Sequence, residues 1–161
     1  MRSPIILVAA ALTLAAAIPG PVLAMGNDPA PSSAKPAGDP DYATAKQMIE
    51  ARNYKGALPL LQQVVAKNPK NADAYNLLGF ATRKSGNPQA SLQYYTQALQ
   101  IDPKHLGAHE YIGEAYLMLD QLPQAEQHLA RLDSLCVFGC AEHRELKTAI
   151  ANYKAGRKPT N

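Results

Sequence analysis

The sequence lacks most of the features that mark an enzyme. Its 161 residues include no tryptophan and only two cysteines. It has no glycine-rich phosphate loop, no Gly-x-Ser-x-Gly nucleophile elbow and no His-Glu-x-x-His zinc motif. No candidate nucleophile has an evident base beside it. We therefore expect no catalytic residues, no enzymatic activity and no cofactor.

An excess of charge of one sign is also absent. The 16 basic and 13 acidic residues give a formal net charge of +3, and they are interspersed along the chain. Proteins that bind nucleic acid concentrate positive charge, whereas mixed charges are typical of a solvated helical surface. We expect no nucleic-acid partner.

The sequence has no apolar run long enough to span a membrane. The longest, residues 5–18, follows Arg2 and covers 14 residues, fewer than the roughly 20 that a spanning helix needs. It leads to Val22-Leu23-Ala24, and residues 1–24 therefore predict a secretory signal peptide cleaved near Ala24. No cysteine follows, which argues against a lipid anchor. We expect a periplasmic or secreted chain with no transmembrane segment once mature.

Residues 25–37 are rich in proline, serine and alanine and have hardly any large apolar side chain. Such a segment cannot bury enough surface to offset the entropy lost on ordering. It is predicted to be a flexible linker.

One pattern then recurs at intervals of 34 residues. The clearest copy, residues 72–105, carries Tyr75, Leu78-Gly79, Tyr95, Ala98 and Pro103. The preceding copy, residues 38–71, has in the same registers Asp41, Thr44-Ala45, Ala57, Leu61, Val64 and Pro69. The third copy, residues 106–135, has His109, Ile112-Gly113, Tyr116, Ala125, Leu129 and Leu132.

These residues resemble the signature of the tetratricopeptide repeat. The resemblance implies an all-α fold, in which three helix-turn-helix repeats form a short right-handed solenoid. The first copy departs from the signature at Thr44-Ala45, and the third has Val137 in place of the closing proline. Apolar spacing and turn residues predict helices near residues 40–51, 54–67, 72–85, 88–101, 106–119 and 122–135.

Local residues support these boundaries. Asp39-Pro40, Asn53 and Asn87-Pro88 are suited to helix N-termini, whereas Pro59 predicts a bend in the second helix or a later start. Small residues should let paired helices approach closely, and these are Ala45, Gly79 and Gly113 with Ala57, Ser91 and Ala125.

The end of a repeat array exposes an apolar face that needs a cap. Residues 136–155 hold both cysteines and a helical stretch from about 141 to 154, whose apolar stripe is Leu146, Ala149, Ile150 and Tyr153. We predict that this helix caps the third repeat and that residues 156–161 form a disordered tail.

The resemblance also implies a binding surface, because the first helices of such repeats line a concave groove for peptides or partner helices. The corresponding positions are Tyr42, Lys46, Ile49 and Glu50, then Asn76, Phe80, Arg83 and Lys84, then Glu110, Glu114, Leu117 and Met118. Phe80 is the favoured contact residue, with intramolecular packing as its alternative. Glu110 and Glu114 disfavour a partner's terminal carboxylate at their end.

Cys136 and Cys140 are separated by only three residues. In an oxidising compartment they predict a disulfide that acts as a local staple. Two alternatives remain open. One is a copper or zinc site formed by Cys136, Cys140 and His143. The other is a thiol-redox pair, although the spacing is one residue longer than Cys-x-x-Cys.

Together these features predict an exported interaction module that scaffolds a protein or peptide partner. A metal-binding or thiol-redox accessory protein is the first alternative. A self-associating envelope assembly factor, and hence a possible homo-oligomer, is the second.

Overall fold

A computed structural model describes residues 38–159, so the predicted signal peptide and linker lie outside the described residues. Those residues form seven α-helices and no strand. The helices are α1 (Pro40–Glu50), α2 (Tyr54–Lys67), α3 (Ala72–Lys84), α4 (Pro88–Ile101), α5 (Leu106–Met118), α6 (Leu122–Leu135) and α7 (Ala141–Lys154). Each predicted helix is present within one residue of its expected ends.

Side chains at the N-termini explain why these boundaries follow from local sequence. Asp39 accepts hydrogen bonds from the Asp41 and Tyr42 amides. Asn53, Asn71 and Asn87 each accept one from the amide three residues on. Such caps satisfy donors that have no partner inside the helix. Helix α2 begins at Tyr54 and continues through Pro59, so the expected later start is wrong.

The helices pack as pairs, α1 with α2, α3 with α4 and α5 with α6, and each pair packs on the next. Helix α1 also contacts α3, and α3 contacts α5. Among the described helices, no Cα atoms of α2 and α4, or of α4 and α6, lie within 8 Å of each other. Because the first helices are closer together than the second ones, they form the inner, concave side of the curved array.

Small residues at the helix crossings are buried as predicted. Ala45, Ala57, Ser91 and Ala125 have no exposed surface. A Cβ atom built on Gly79 would lie 2.5 Å from Tyr95 Cε1, so α3 and α4 meet at a distance that only glycine permits. Larger apolar residues fill the spaces between, among them Leu61, Leu78, Tyr95, Ile112 and Leu132.

Helix α7 covers the end of the array. Its Leu146 and Ile150 are buried, and Ala149 and Tyr153 pack against the same cluster on α5 and α6. The cap prediction is therefore confirmed. No helix within residues 38–159 has the length and apolar character needed to cross a bilayer.

The tail prediction needs correction for residues 156–158. Gly156 takes a left-handed conformation, with φ of 79°, which turns the chain back at the end of α7. Arg157 then donates to Asn152 Oδ1 at 2.7 Å, and Lys158 pairs with Asp120 at 2.5 Å. These contacts attach the start of the tail to the fold.

Candidate functional site

The concave face of α1, α3 and α5 carries the predicted groove positions, but they differ in exposure. Lys46 and Glu50 are exposed, and a second group is partly exposed: Tyr42, Ile49, Phe80, Lys84, Glu114 and Met118. Four others are buried in the fold, namely Asn76, Arg83, Glu110 and Leu117. The accessible groove is therefore smaller than the sequence predicts, and it is concentrated on repeats one and two.

Phe80 lies at the centre of this accessible surface. Its ring centroid is 5.9 Å from that of Tyr54 and 5.0 Å from that of Tyr111. Lys84 Nζ lies 5.9 Å from the Phe80 ring centroid, within cation–π distance. Phe80 both packs inside the protein and keeps part of its surface open to a partner. The two interpretations of this residue are compatible.

Arg83 is not a groove contact, because only 1% of its surface is exposed. Its guanidinium lies 2.6 Å from a carboxylate oxygen of Glu114 and donates to the Tyr95 hydroxyl at 3.4 Å. The Phe80 and Tyr111 rings flank it, with centroids 5.5 and 5.7 Å away. Arg83 thus joins α3, α4 and α5, and its predicted role as a partner contact is wrong.

Helix α7 explains the burial at repeat three. It packs against α5 on the side where the groove would otherwise continue. Leu117 is fully buried in the cluster that α7 completes. Glu110 is 4% exposed. Burial, a hydrogen bond with Glu145 and the charge of Glu114 raise the pKa of Glu110 to about 9. The raised pKa favours the neutral form of this carboxyl, so Glu110 contributes less negative charge to the groove than the sequence predicts.

Asn76 is buried on α3, and its Oδ1 atom has no hydrogen-bond partner among the described residues. The Gly107 backbone at the start of α5 approaches its side chain so closely that a Cβ atom there would lie 3.2 Å from Asn76 Nδ2. The structure places this residue between helices rather than on the groove surface.

Two histidines replace aromatic residues at packing positions of repeat three. His109 Nε2 lies 3.1 Å from the Pro103 carbonyl oxygen, and His109 Nδ1 lies 2.9 Å from His128 Nδ1. Since the carbonyl can only accept, we assign the His109 proton to Nε2, so that His109 Nδ1 accepts from His128. The His128 ring also stacks on Tyr116. One of the two facing Nδ1 atoms must be unprotonated in this arrangement, so the two rings cannot both be positively charged.

Acid should therefore destabilise the fold through this pair. Burial, with a contribution from His109, lowers the pKa of His128 to about 4, and burial also lowers the pKa of His109. Unfolded His128 takes up a proton near pH 6.5, so stability falls as pH drops from about 6.5 to about 4. We expect His128 to account for about 2 kcal/mol of this loss, after allowing for its partial exposure.

Urea unfolding at several pH values checks this expectation. His128→Phe keeps an aromatic ring against Tyr116 but cannot take up a proton, so its unfolding free energy should vary less with pH than that of the parent protein. Equal pH dependence of the two proteins between about pH 6.5 and 4 would contradict the assignment.

The structure places Cys136 and Cys140 as a close pair with Cα atoms 5.6 Å apart, a distance that a disulfide can span. Cys140 Sγ also accepts a hydrogen bond from the His143 amide and so caps α7. The His143 ring faces Asp133, 3.6 Å away. Within residues 38–159 no group of three potential ligands is placed to hold a metal. The alternative set of Cys136, Cys140 and His143 is not assembled.

The loop between Cys136 and Cys140 presents an exposed apolar tip. Val137 is 79% exposed and Phe138 is fully exposed. This surface was not predicted, because the loop was interpreted through its two cysteines alone.

Comparison with known proteins agrees with the helix pairs. Family models described as tetratricopeptide repeat match residues 42–105 and residues 82–135. The two matches together span the three helix pairs. The chain belongs to the tetratricopeptide repeat family. The resemblance drawn from the sequence is thus confirmed, as is the all-helical repeat fold.

Curated relatives match part of this tetratricopeptide repeat protein. Protein O-mannosyl-transferase TMTC3 of Homo sapiens is 28% identical over 83 residues, which cover 52% of this chain and 9% of the relative. TPR repeat-containing thioredoxin TTL4 of Arabidopsis thaliana is 27% identical over 101 residues, which cover 62% of this chain and 14% of the relative. The chain spans only a small fraction of the length of these relatives. The activities in their names are therefore not assigned to this chain.

Solved structures agree with the helical repeat fold of this tetratricopeptide repeat protein. MamA from Desulfovibrio magneticus RS-1 superposes with a TM-score of 0.57 and 28% identity, over 59% of this chain and 54% of that one. The Yersinia enterocolitica type III secretion translocator chaperone SycD superposes with a TM-score of 0.63 and 19% identity, over 72% of this chain and 87% of SycD. At that identity SycD supports the fold alone. The family supports a general role in binding other proteins.

Proposed function

We propose that this protein is an exported, non-enzymatic scaffold that holds a segment of a protein partner in the groove of α1 and α3. The observation that carries the proposal is Phe80, a partly exposed aromatic residue at the centre of a concave face. Aromatic residues at the centre of an interface often contribute most of the binding energy.

The surroundings of Phe80 suit a partner segment of mixed character. Tyr42 and Ile49 of α1 add apolar surface, whereas Lys46 and Glu50 offer exposed charges of both signs. Packing against Tyr54 and Tyr111 holds the Phe80 ring in place, so little side-chain entropy is lost when a partner binds. A rigid aromatic residue with charged neighbours can give both affinity and orientation.

Crosslinking in the envelope fraction tests the proposal. We expect Phe80→Ala to reduce the yield of partner-specific crosslinks at least about fivefold, because it removes the central contact. The pair Lys46→Glu with Glu50→Lys, which preserves net charge, should reduce it too. Arg83 is unsuitable for this experiment because its replacement would disturb the fold.

Matched changes on α4 provide the control. Gln93→Ala and Thr96→Ala alter exposed positions outside the concave face and should leave the crosslinks unchanged. Circular dichroism must show that each variant keeps its helices. If the folded Phe80→Ala and Lys46/Glu50 variants both retain every crosslink, the groove is not the binding surface.

Export and the disulfide are further parts of the proposal. Residues 1–24 and the cysteine pair support them. The Cys136 and Cys140 positions in the fold already satisfy the distance that a disulfide needs. We expect the mature chain to begin at Met25 and to be lighter by two hydrogen atoms than its reduced form. Intact-mass measurement without reductant checks both. A chain that retains residues 1–24, or free thiols after aerobic purification, would contradict the respective part.

A further inference from the structure

One cleft at the edge of the groove concentrates positive charge. We call it the basic cleft, of about 300 Å³, and its walls are Arg52, Asn53, Tyr54, Lys55, Lys84 and Ser85. Within residues 38–159 no carboxylate forms an ion pair with the three cations of the cleft, Arg52, Lys55 and Lys84. By contrast, Lys67, Lys154 and Lys158 each have an acidic partner. The basic cleft therefore holds positive charge without a counter-charge in contact.

Lys84 shows the consequence of this concentration. It is partly buried beside Phe80. Burial lowers the pKa of its ammonium group, the charges of Arg83 and Arg52 lower it further, and only Glu114 opposes them. An anion in the basic cleft would relieve this repulsion.

Arg52 occupies a backbone position that disfavours its side chain. It lies in the left-handed region with φ of 59°, and the residues one and two repeats further on, Gly86 and Asp120, are also left-handed. Glycine and aspartate tolerate that conformation better than arginine. The first repeat thus has an arginine with a strained backbone where the second repeat has glycine. No acidic side chain among the described residues pairs with this arginine.

Hydrogen-bond donors accompany the charge. The Asn53 side chain satisfies the Gly56 amide, but the first amides of α2, those of Tyr54 and Lys55, have no acceptor inside the helix. Ser85 forms part of the wall, but its Oγ is buried and is not open to a ligand in the cleft. Cations together with free donors are the chemistry that binds carboxylates.

We propose that the basic cleft binds the side-chain carboxylates of an acidic segment in the partner polypeptide. This inference rests on the proposed groove function and deepens it. Tyr54 lines the basic cleft and packs on Phe80, so the cleft and the groove form one continuous surface. A chain that covers Phe80 can reach Arg52, Lys55 and Lys84 with its next acidic residues.

The binding of a defined peptide to the full-length mature protein tests the assignment. The probe is a fluorescent peptide of alternating glutamate and alanine, acetylated and amidated so that only side chains carry charge. At low ionic strength, Lys84→Ala and Arg52→Gly should each weaken binding about fivefold. Amide chemical shifts should change most around residues 52–56 and 84–85.

Lys70→Ala is the matched control, since it removes one exposed cation outside the basic cleft. It should leave the affinity within about twofold of the parent protein. Arg52→Gly should have an equal or higher denaturation midpoint, because glycine removes the backbone strain. Its loss of binding could then not be attributed to unfolding. Unchanged affinity in Lys84→Ala and Arg52→Gly, or an equal loss in Lys70→Ala, would overturn the proposal.

Two further probes test whether the basic cleft binds the carboxylates of a polypeptide or a free anion such as phosphate. A peptide with glutamine in place of glutamate should not bind. Inorganic phosphate should bind more weakly than the acidic peptide, and equal or tighter binding of phosphate would overturn the assignment to a polypeptide. If Phe80→Ala abolishes the natural crosslinks but the acidic peptide does not bind, this inference fails while the groove function stands.

Discussion

Replacing Arg83 with methionine is expected to lower the free energy of unfolding by about 3 kcal/mol. The substitution leaves Glu114 without its cation and removes the donor to the Tyr95 hydroxyl. Glu114 is only 22% exposed at its side chain, so water compensates the lost charge incompletely. A small domain has roughly 5–15 kcal/mol of total stability, so this loss would be large. Chemical denaturation followed by circular dichroism measures it.

The double variant Arg83→Met with Glu114→Met distinguishes a lost ion pair from lost packing. Replacing a buried ion pair by apolar residues of similar size is often nearly neutral. We therefore expect the double variant to recover most of the stability. If it is as unstable as Arg83→Met alone, packing of the Arg83 side chain against Phe80 and Tyr111 dominates, and the ion-pair interpretation is wrong.

Replacing Gly79 is expected to have the second large effect. A Cβ atom at this position would lie 2.5 Å from Cε1 and 2.6 Å from Cδ1 of Tyr95. Tyr95 is fully buried and its hydroxyl bonds to Arg83, so the ring cannot move aside at low cost. Overpacking costs typically 1–3 kcal/mol, and alanine recovers up to about 1 kcal/mol through helix propensity. We expect a net loss of about 2 kcal/mol for Gly79→Ala.

Larger residues at this position extend the test. Gly79→Leu should cost about 3 kcal/mol or more, because its side chain would separate α3 from α4. Gly38→Ala is the matched control, since no atom lies within 4 Å of its added Cβ. Thermal and urea unfolding compare the three variants. A stabilised Gly79→Ala protein would mean that helix propensity outweighs the close approach to Tyr95.

The repeat period predicted the fold well because its evidence is local. Asp39, Asn53 and Asn87 cap helices within their own segments, so each boundary could be deduced from a few consecutive residues. The small residues at Gly79 and Ser91 followed from the register, and both are buried. The signal peptide and linker remain predictions, since they lie outside the described residues.

The groove was predicted less accurately because exposure depends on neighbouring helices. The register placed Leu117 and Glu110 on the inner face, but α7 packs over that part of α5. Arg83 was assigned to the groove as a cation, yet its pairing with Glu114 spans 31 positions of sequence and two repeats. The basic cleft was also missed apart from Lys84, because Arg52 lies in the turn between α1 and α2 and Lys55 lies in the first turn of α2, outside the groove positions of the first helices.

The sequence by itself determined the number of helices, their boundaries and the capping role of α7, because hydrophobic period, turn residues and small residues act over short distances. Only the tertiary structure decided which charged groups are buried in pairs and which stay open to a partner. Charge and exposure depend on what the opposite helix contributes. Thus Arg83 became part of the core while Lys84, its neighbour in sequence, remained at the surface of the groove.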